Sequence, residues 1–160
     1  MAVDMFIKIT DIKGESKGKG HEKEIDVLAW SWGMSQSGTM HQGGGGGAGK
    51  VSVQDLSFTK YFDASSATLM LACCNGKHIP EAVLTVQKAG ETVLPYIKIT
   101  LTNLLVASLS TGGSGGEDRL TENVSLNFEK VKVEYDVQTE KGAKGDHLSM
   151  NWDIAQNVKE

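Results

Sequence analysis

Two glycine-rich stretches carry the residues that could do chemistry. Gly44 to Lys50 fits the GxxxxGK spacing of a phosphate-binding loop, in which backbone amides and a helix N-terminus face the phosphate. Here Val51 stands where Ser or Thr would reach the metal, and a strand pattern follows instead of a helix. Gly112-Gly113-Ser114-Gly115-Gly116 spells GxSxG, with Asp136 and His147 downstream in hydrolase order. A nucleophile elbow needs strand, sharp turn and helix, and the residues after Gly116 lead into another strand. The four histidines, His21, His41, His78 and His147, fall in separate loops or element ends without metal-ligand spacing, and are expected to be exposed. Cys73 and Cys74 are adjacent, so only a strained ring could join them, and they are expected as free thiols. No catalytic constellation, cofactor or metal is expected.

The elements that would position any site are strands. The chain has 160 residues, a net charge of −4 and one arginine, Arg119, among 16 basic residues, so one domain over 1–160 is expected, with no nucleic-acid partner. Residues 1–10 have neither the basic start nor the apolar length of a Sec signal peptide, and no apolar run reaches membrane-span length. Glycine is the outlier at 19 residues, concentrated in the two loops.

The stretch 24–34 is the centre of the pattern. Leu28, Trp30, Trp32 and Met34 share one face of a strand, and Ile25, Val27, Ala29, Ser31 and Gly33 share the other. The paired tryptophans predict a buried aromatic face. Before it, alternation predicts a strand through Met5, Ile7 and Ile9, and residues 13–23 read as a mobile, solvated turn. After it, 35–50 is a long irregular loop, and 51–58 resumes strand character with a slip near Gln54 and Asp55. Asp63-Ala64-Ser65-Ser66 is an N-cap cluster for the one helix, which carries Leu69, Met70, Ala72, Cys73 and Cys74 and stops at Asn75-Gly76. Both cysteines are expected on its inner face. Strands over 81–88 and 93–109 flank the turn Ala89-Gly90-Glu91, the second disrupted at Asn103. Parity then runs even through Val124, Leu126 and Phe128 and odd from Val131, a slip at Glu129-Lys130 that implies a bend. A last strand alternates Leu148, Met150, Trp152 and Ile154. The count, about eight strands and one helix, predicts a mainly β, closed or nearly closed antiparallel barrel.

Several blocks resemble the Hcp family, the tube subunits of bacterial type VI secretion. They are Ile12-Lys13-Gly14-Glu15-Ser16, His21, the stretch from Glu24 to Gly33 with Gln36, the polyglycine loop ending Gly49-Lys50, Asp55 to Lys60, Leu69 to Ala72, Ser110 to Val124, and Trp152 to Asn157. The resemblance spans the chain in order. It implies a β-barrel of two packed sheets with a flanking helix, six copies closing into a ring, and rings stacking into a tube with the chain's own copies, sheath and spike components as partners. It also implies small effector proteins carried in the channel and export without a signal peptide. On this reading Ser31, on a face too small to fill a core layer, either packs close to a neighbouring backbone or lines the channel. Met40, His41, Gly43, Gly44, Gly45, Gly46, Gly47 and Lys50 are candidates for ring-on-ring contact, with Gly90 as a second such point. Arg119, among Glu117, Asp118 and Glu122, is expected to fork onto a carboxylate and anchor its loop to another segment or a neighbouring subunit. The alternative from pattern alone is a barrel that binds one small ligand.

Overall fold

The computed structural model describes residues 2–38, 40–41, 49–90, 94–140 and 142–160. Among these, the strands are β1 (Val3–Ile9), β2 (Ile25–Asp26), β3 (Ala29–Ser31), β4 (Met34–Ser35), β5 (Ser52–Val53), β6 (Leu56–Tyr61), β7 (Ile79–Lys88), β8 (Pro95–Thr111), β9 (Thr121–Gln138), β10 (Lys144–Asp153) and β11 (Val158–Lys159). The helix, α1 (Ser66–Asn75), lies between β6 and β7 and packs on β8. All strand pairs are antiparallel, so the mainly β expectation holds.

One ladder runs β11-β10-β9-β8-β7-β1-β2, and β6 joins β9 to β3. The bend that makes two layers from it lies at Asn103. On β8, Ile99 and Leu101 are buried before that residue, and Leu104 and Val106 after it. On β9, Val124, Leu126 and Phe128 are buried, then Val131. Both strands therefore exchange their buried face at the same level, since Thr102 pairs with Lys130 and Leu104 with Phe128. Asn103 adopts φ 52°, a left-handed conformation that Asn tolerates, and its Nδ2 donates to Glu129 Oε2 at 2.6 Å. The slip read at Glu129-Lys130 is this shared bend; the register shift itself falls between Val106 and Ser108. Ile7, Leu84 and Ile99 from one layer meet Phe58, Val124 and Leu126 from the other in a single core.

Of the closed or nearly closed barrel expected from alternation, the described residues form the nearly closed kind, since strand pairing alone does not complete the ring. Residues 25–31 bridge the sheet's ends instead. Their first part pairs with β1, Val27 N donates to Met5 O at 2.9 Å, Leu28 N donates to Thr59 O at 2.8 Å, and the last part pairs with β6. This change of partner also breaks the tryptophan strand. Ile25 and Val27 are buried, Leu28 is exposed, and Trp30 and Trp32 are half-buried against the core. The buried face expected from Leu28, Trp30, Trp32 and Met34 is thus split, because the segment crosses from one layer to the other at Val27-Leu28.

Two loop readings are corrected. The turn before β2 is tied down: Gly14 N donates to Lys23 O at 2.8 Å, Ser16 N to Glu24 O at 3.0 Å and Lys23 N to Ser16 O at 2.9 Å. A Cβ on Gly14 would lie 2.5 Å from Glu24 O, so only glycine allows that approach. His21, expected to be exposed, stacks on Phe6 with ring centroids 4.5 Å apart and sets its nitrogens 2.9 Å from Glu24 Oε2 and 3.1 Å from Gln87 Oε1. In α1, Gly76 closes the helix at φ 64°, as Asn75-Gly76 predicts. Leu69 and Ala72 form its inner face, Cys73 is half-buried, and Cys74 is exposed rather than an inner filler. At the other end of the chain, Lys130 donates to Glu160 Oε1 at 2.6 Å, a hydrogen bond that raises the lysine pKa and ties the C-terminus to β9.

Candidate functional site

The outward face of the layer β3-β6-β9-β8 is built from small uncharged polar residues. The registers place Ser31 beside Ser57, Ser57 beside Ser125, and Ser125 beside Ser108, one row across four strands. The next row is Ala29, Thr59, Asn123 and Ser110. Alternation dictates this face: in β6, Leu56, Phe58 and Lys60 turn inward, so Ser57, Thr59 and Tyr61 turn outward. The hydroxyls of Ser108 and Ser125 are bonded to each other, and Thr59 Oγ1 donates to Asn123 Oδ1 at 2.7 Å. A shallow concavity of about 200 Å³ lies over Ala29, Ser31, Ser57, Thr59 and Asn123. Such a surface offers hydroxyl and amide groups to a polar partner without a net charge to select it. It has no titratable group placed for proton transfer.

Directly beneath it lies a buried ion cluster. Lys60 and Glu122 are both 0 % exposed, and Lys60 Nζ donates to Glu122 Oε2 at 2.7 Å, Tyr61 O at 2.8 Å and Ser66 Oγ at 3.1 Å, with Asp63 Oδ1 at 3.0 Å. Glu122 Oε1 is left without a partner. The cluster clamps the start of α1 to β6 and β9 and is saturated around its lysine, which makes it a structural tie rather than a nucleophile.

Of the residues singled out from sequence, Ser31 lies exposed on the polar face. Arg119 is exposed at the far end of the same layer and does not fork onto a carboxylate. Its guanidinium sits 3.7 Å above the Tyr61 ring, and no acid lies within ion-pair distance of it among the described residues. Glu122 is unavailable to it because Lys60 holds it inside. Met40, His41 and Lys50 are exposed, and Gly90 is exposed at the end of β7; Gly43, Gly44, Gly45, Gly46 and Gly47 lie outside the described residues. Lys50 leads into β5, not into a helix, which removes the phosphate-loop geometry. His147 does pair with Asp136 at 2.6 Å across β10 and β9, but Ser114 lies in the loop at the opposite end of β9, so no triad forms.

The sequence reading missed most of the polar row. Its signal was present as period-2 spacing of Ser57 and Thr59, and of Thr121, Asn123, Ser125 and Asn127.

Comparison with known proteins agrees with this architecture. Residues 6–135 match the model of the family described as "Type VI secretion system effector, Hcp". Protein hcp1 of Pseudomonas aeruginosa is 66% identical over 161 residues, covering 99% of each chain. The crystal structure of Hcp1 from Salmonella typhimurium superposes with a TM-score of 0.84 at 43% identity and covers 100% of both chains. A structure described as that of a type six secretion system protein has a TM-score of 0.94 at 30% identity, over 99% of this chain and 100% of the other. The chain belongs to the Hcp family, and with that membership it is a tube subunit of type VI secretion.

Proposed function

We propose that six copies close head to tail into a ring, that rings stack into the inner tube, and that the Ser31-Ser57-Ser125-Ser108 face lines the channel and holds small effector proteins during export. The observation that carries this reading is the exposed, uncharged polar face on a subunit whose family is that of type VI secretion. A channel wall that must hold different proteins and release them gains from many weak hydroxyl contacts and loses from fixed charge. The segment around Met40, His41, Gly43, Gly44, Gly45, Gly46, Gly47 and Lys50, with Gly90, serves ring stacking in the same reading, and sheath and spike components are the outer partners. The chain catalyses nothing in this role; it assembles in the bacterial cytoplasm and leaves through its own machine. A small-ligand barrel would need an empty interior, whereas Phe58, Leu126, Ile99 and Leu101 fill this one.

Replacing Ser31 with glutamine tests the channel assignment. Ser31 is exposed, so the fold and ring are expected to persist, while effectors co-purifying with the ring fall at least several-fold. Loss of the folded ring would place Ser31 in packing between segments instead.

A further inference from the structure

A ring closed head to tail needs two different contacts on each copy, one accepting and one inserting. We infer that the accepting contact is an apolar socket lined by Trp32, Met34, Val53, Val131, Met150 and Trp152, and that the inserting contact is the pair Phe62 and Leu120 of a second copy. The inference rests on the ring reading above and names its lateral chemistry.

The socket is an open groove of about 220 Å³, and its lining surface is wholly apolar. Met34 is 46% exposed and Met150 37%, so a single chain leaves this wall in water. Along the same face of β9 and β10 the apolar surface continues through Tyr135 and Leu148, which pair in register and are both exposed. A contiguous apolar patch of this kind marks a contact surface.

The projection stands at the other end of the layer. Phe62 is 51% exposed and Leu120 42%, and Phe62 N donates to Leu120 O at 2.9 Å, which holds the two side by side. The end of the Leu120 side chain lies over the bare backbone of Gly113, and the Arg119–Tyr61 stack flanks the pair. The projection is thereby stiffened before it meets anything, which lowers the ordering cost of association.

The two patches cannot meet within one chain. Val53 precedes β6 and Phe62 follows it, so the six residues of β6 separate them by on the order of 20 Å. A small apolar molecule in the socket would leave Phe62 and Leu120 exposed. A second copy covers both patches with one heterologous contact, and repetition of that contact closes the ring.

The test uses the full chain with Phe62→Glu, Met150→Glu and, as a second socket variant at a more exposed position, Met34→Glu. Native mass spectrometry reads assembly, and circular dichroism reads folding. Each variant is expected to remain folded and run at the 17.2 kDa of one chain under conditions where the unaltered protein forms rings. Mixing Phe62→Glu with either socket variant should yield a species of twice that mass, because one partner retains its socket and the other its projection. Rings from Phe62→Glu or Met34→Glu, or a mixture holding only monomers while the unaltered chain forms rings, would overturn the pairing. An unaltered chain that never forms rings would overturn the ring reading and the pairing with it.

Discussion

Replacing Lys60 with methionine is expected to cost about 3–5 kcal/mol of folding stability, because it leaves the Glu122 carboxylate inside the protein without its counter-ion. Lys60 and Glu122 are wholly buried 2.7 Å apart, and Glu122 Oε1 already lacks a partner. The lysine also holds Asp63 and Ser66, where α1 begins, so the helix start should loosen with it. Joint replacement, Lys60→Met with Glu122→Leu, removes both charges and is expected to recover most of the loss. Urea unfolding of the single and double variants at one protein concentration separates the terms, since assembly itself adds apparent stability. Equal destabilisation by the single and double variants would show that packing volume, rather than the stranded charge, sets the cost.

A loss of similar size is expected from Phe58→Ala. Phe58 is 2% exposed, pairs with Trp30 on one side and Val124 on the other, and belongs to the core between the layers. Deleting its ring removes the transfer energy and leaves a cavity in a site that β6 cannot collapse into, for about 3–5 kcal/mol. Because Ser57 and Thr59 flank it in sequence on the outward face, the polar row should lose its regular register as well. Denaturant midpoints check the first effect, and amide exchange along β6 and β3 checks the second. A midpoint change near zero would mean that Phe58 is not supported by the packing described above.

The contrast between these two residues shows what alternation can reveal. Phe58 is legible at once, as the middle of the alternating run Leu56-Ser57-Phe58-Thr59-Lys60. Lys60 shares the parity of Leu56 and Phe58, and Glu122 that of Val124 and Leu126, so their burial was also written in the period. Their pairing was not, because 62 residues separate them and only the β6–β9 register brings them together. The same limit applies to Ser31: its face was readable from residues 29–33, but the serine row needs three ladders to be seen. The end of the helix was local, and its stop at Gly76 followed from the αL preference of that position. Residues 25–31 misled because a strand that changes partner keeps its composition while losing its period. Arg119 misled for a different reason. Neighbouring acids made an ion pair plausible in sequence, yet Lys60 had drawn Glu122 inward and the Tyr61 ring lay open on the outer face.

This chain is expected to assemble into closed rings, and native mass spectrometry of the purified protein across ordinary salt reads that assembly. A tube subunit should give a dominant species at six times 17.2 kDa that persists as salt is raised, since apolar contacts are not weakened by screening. A protein that remains at 17.2 kDa under all these conditions would contradict the claim.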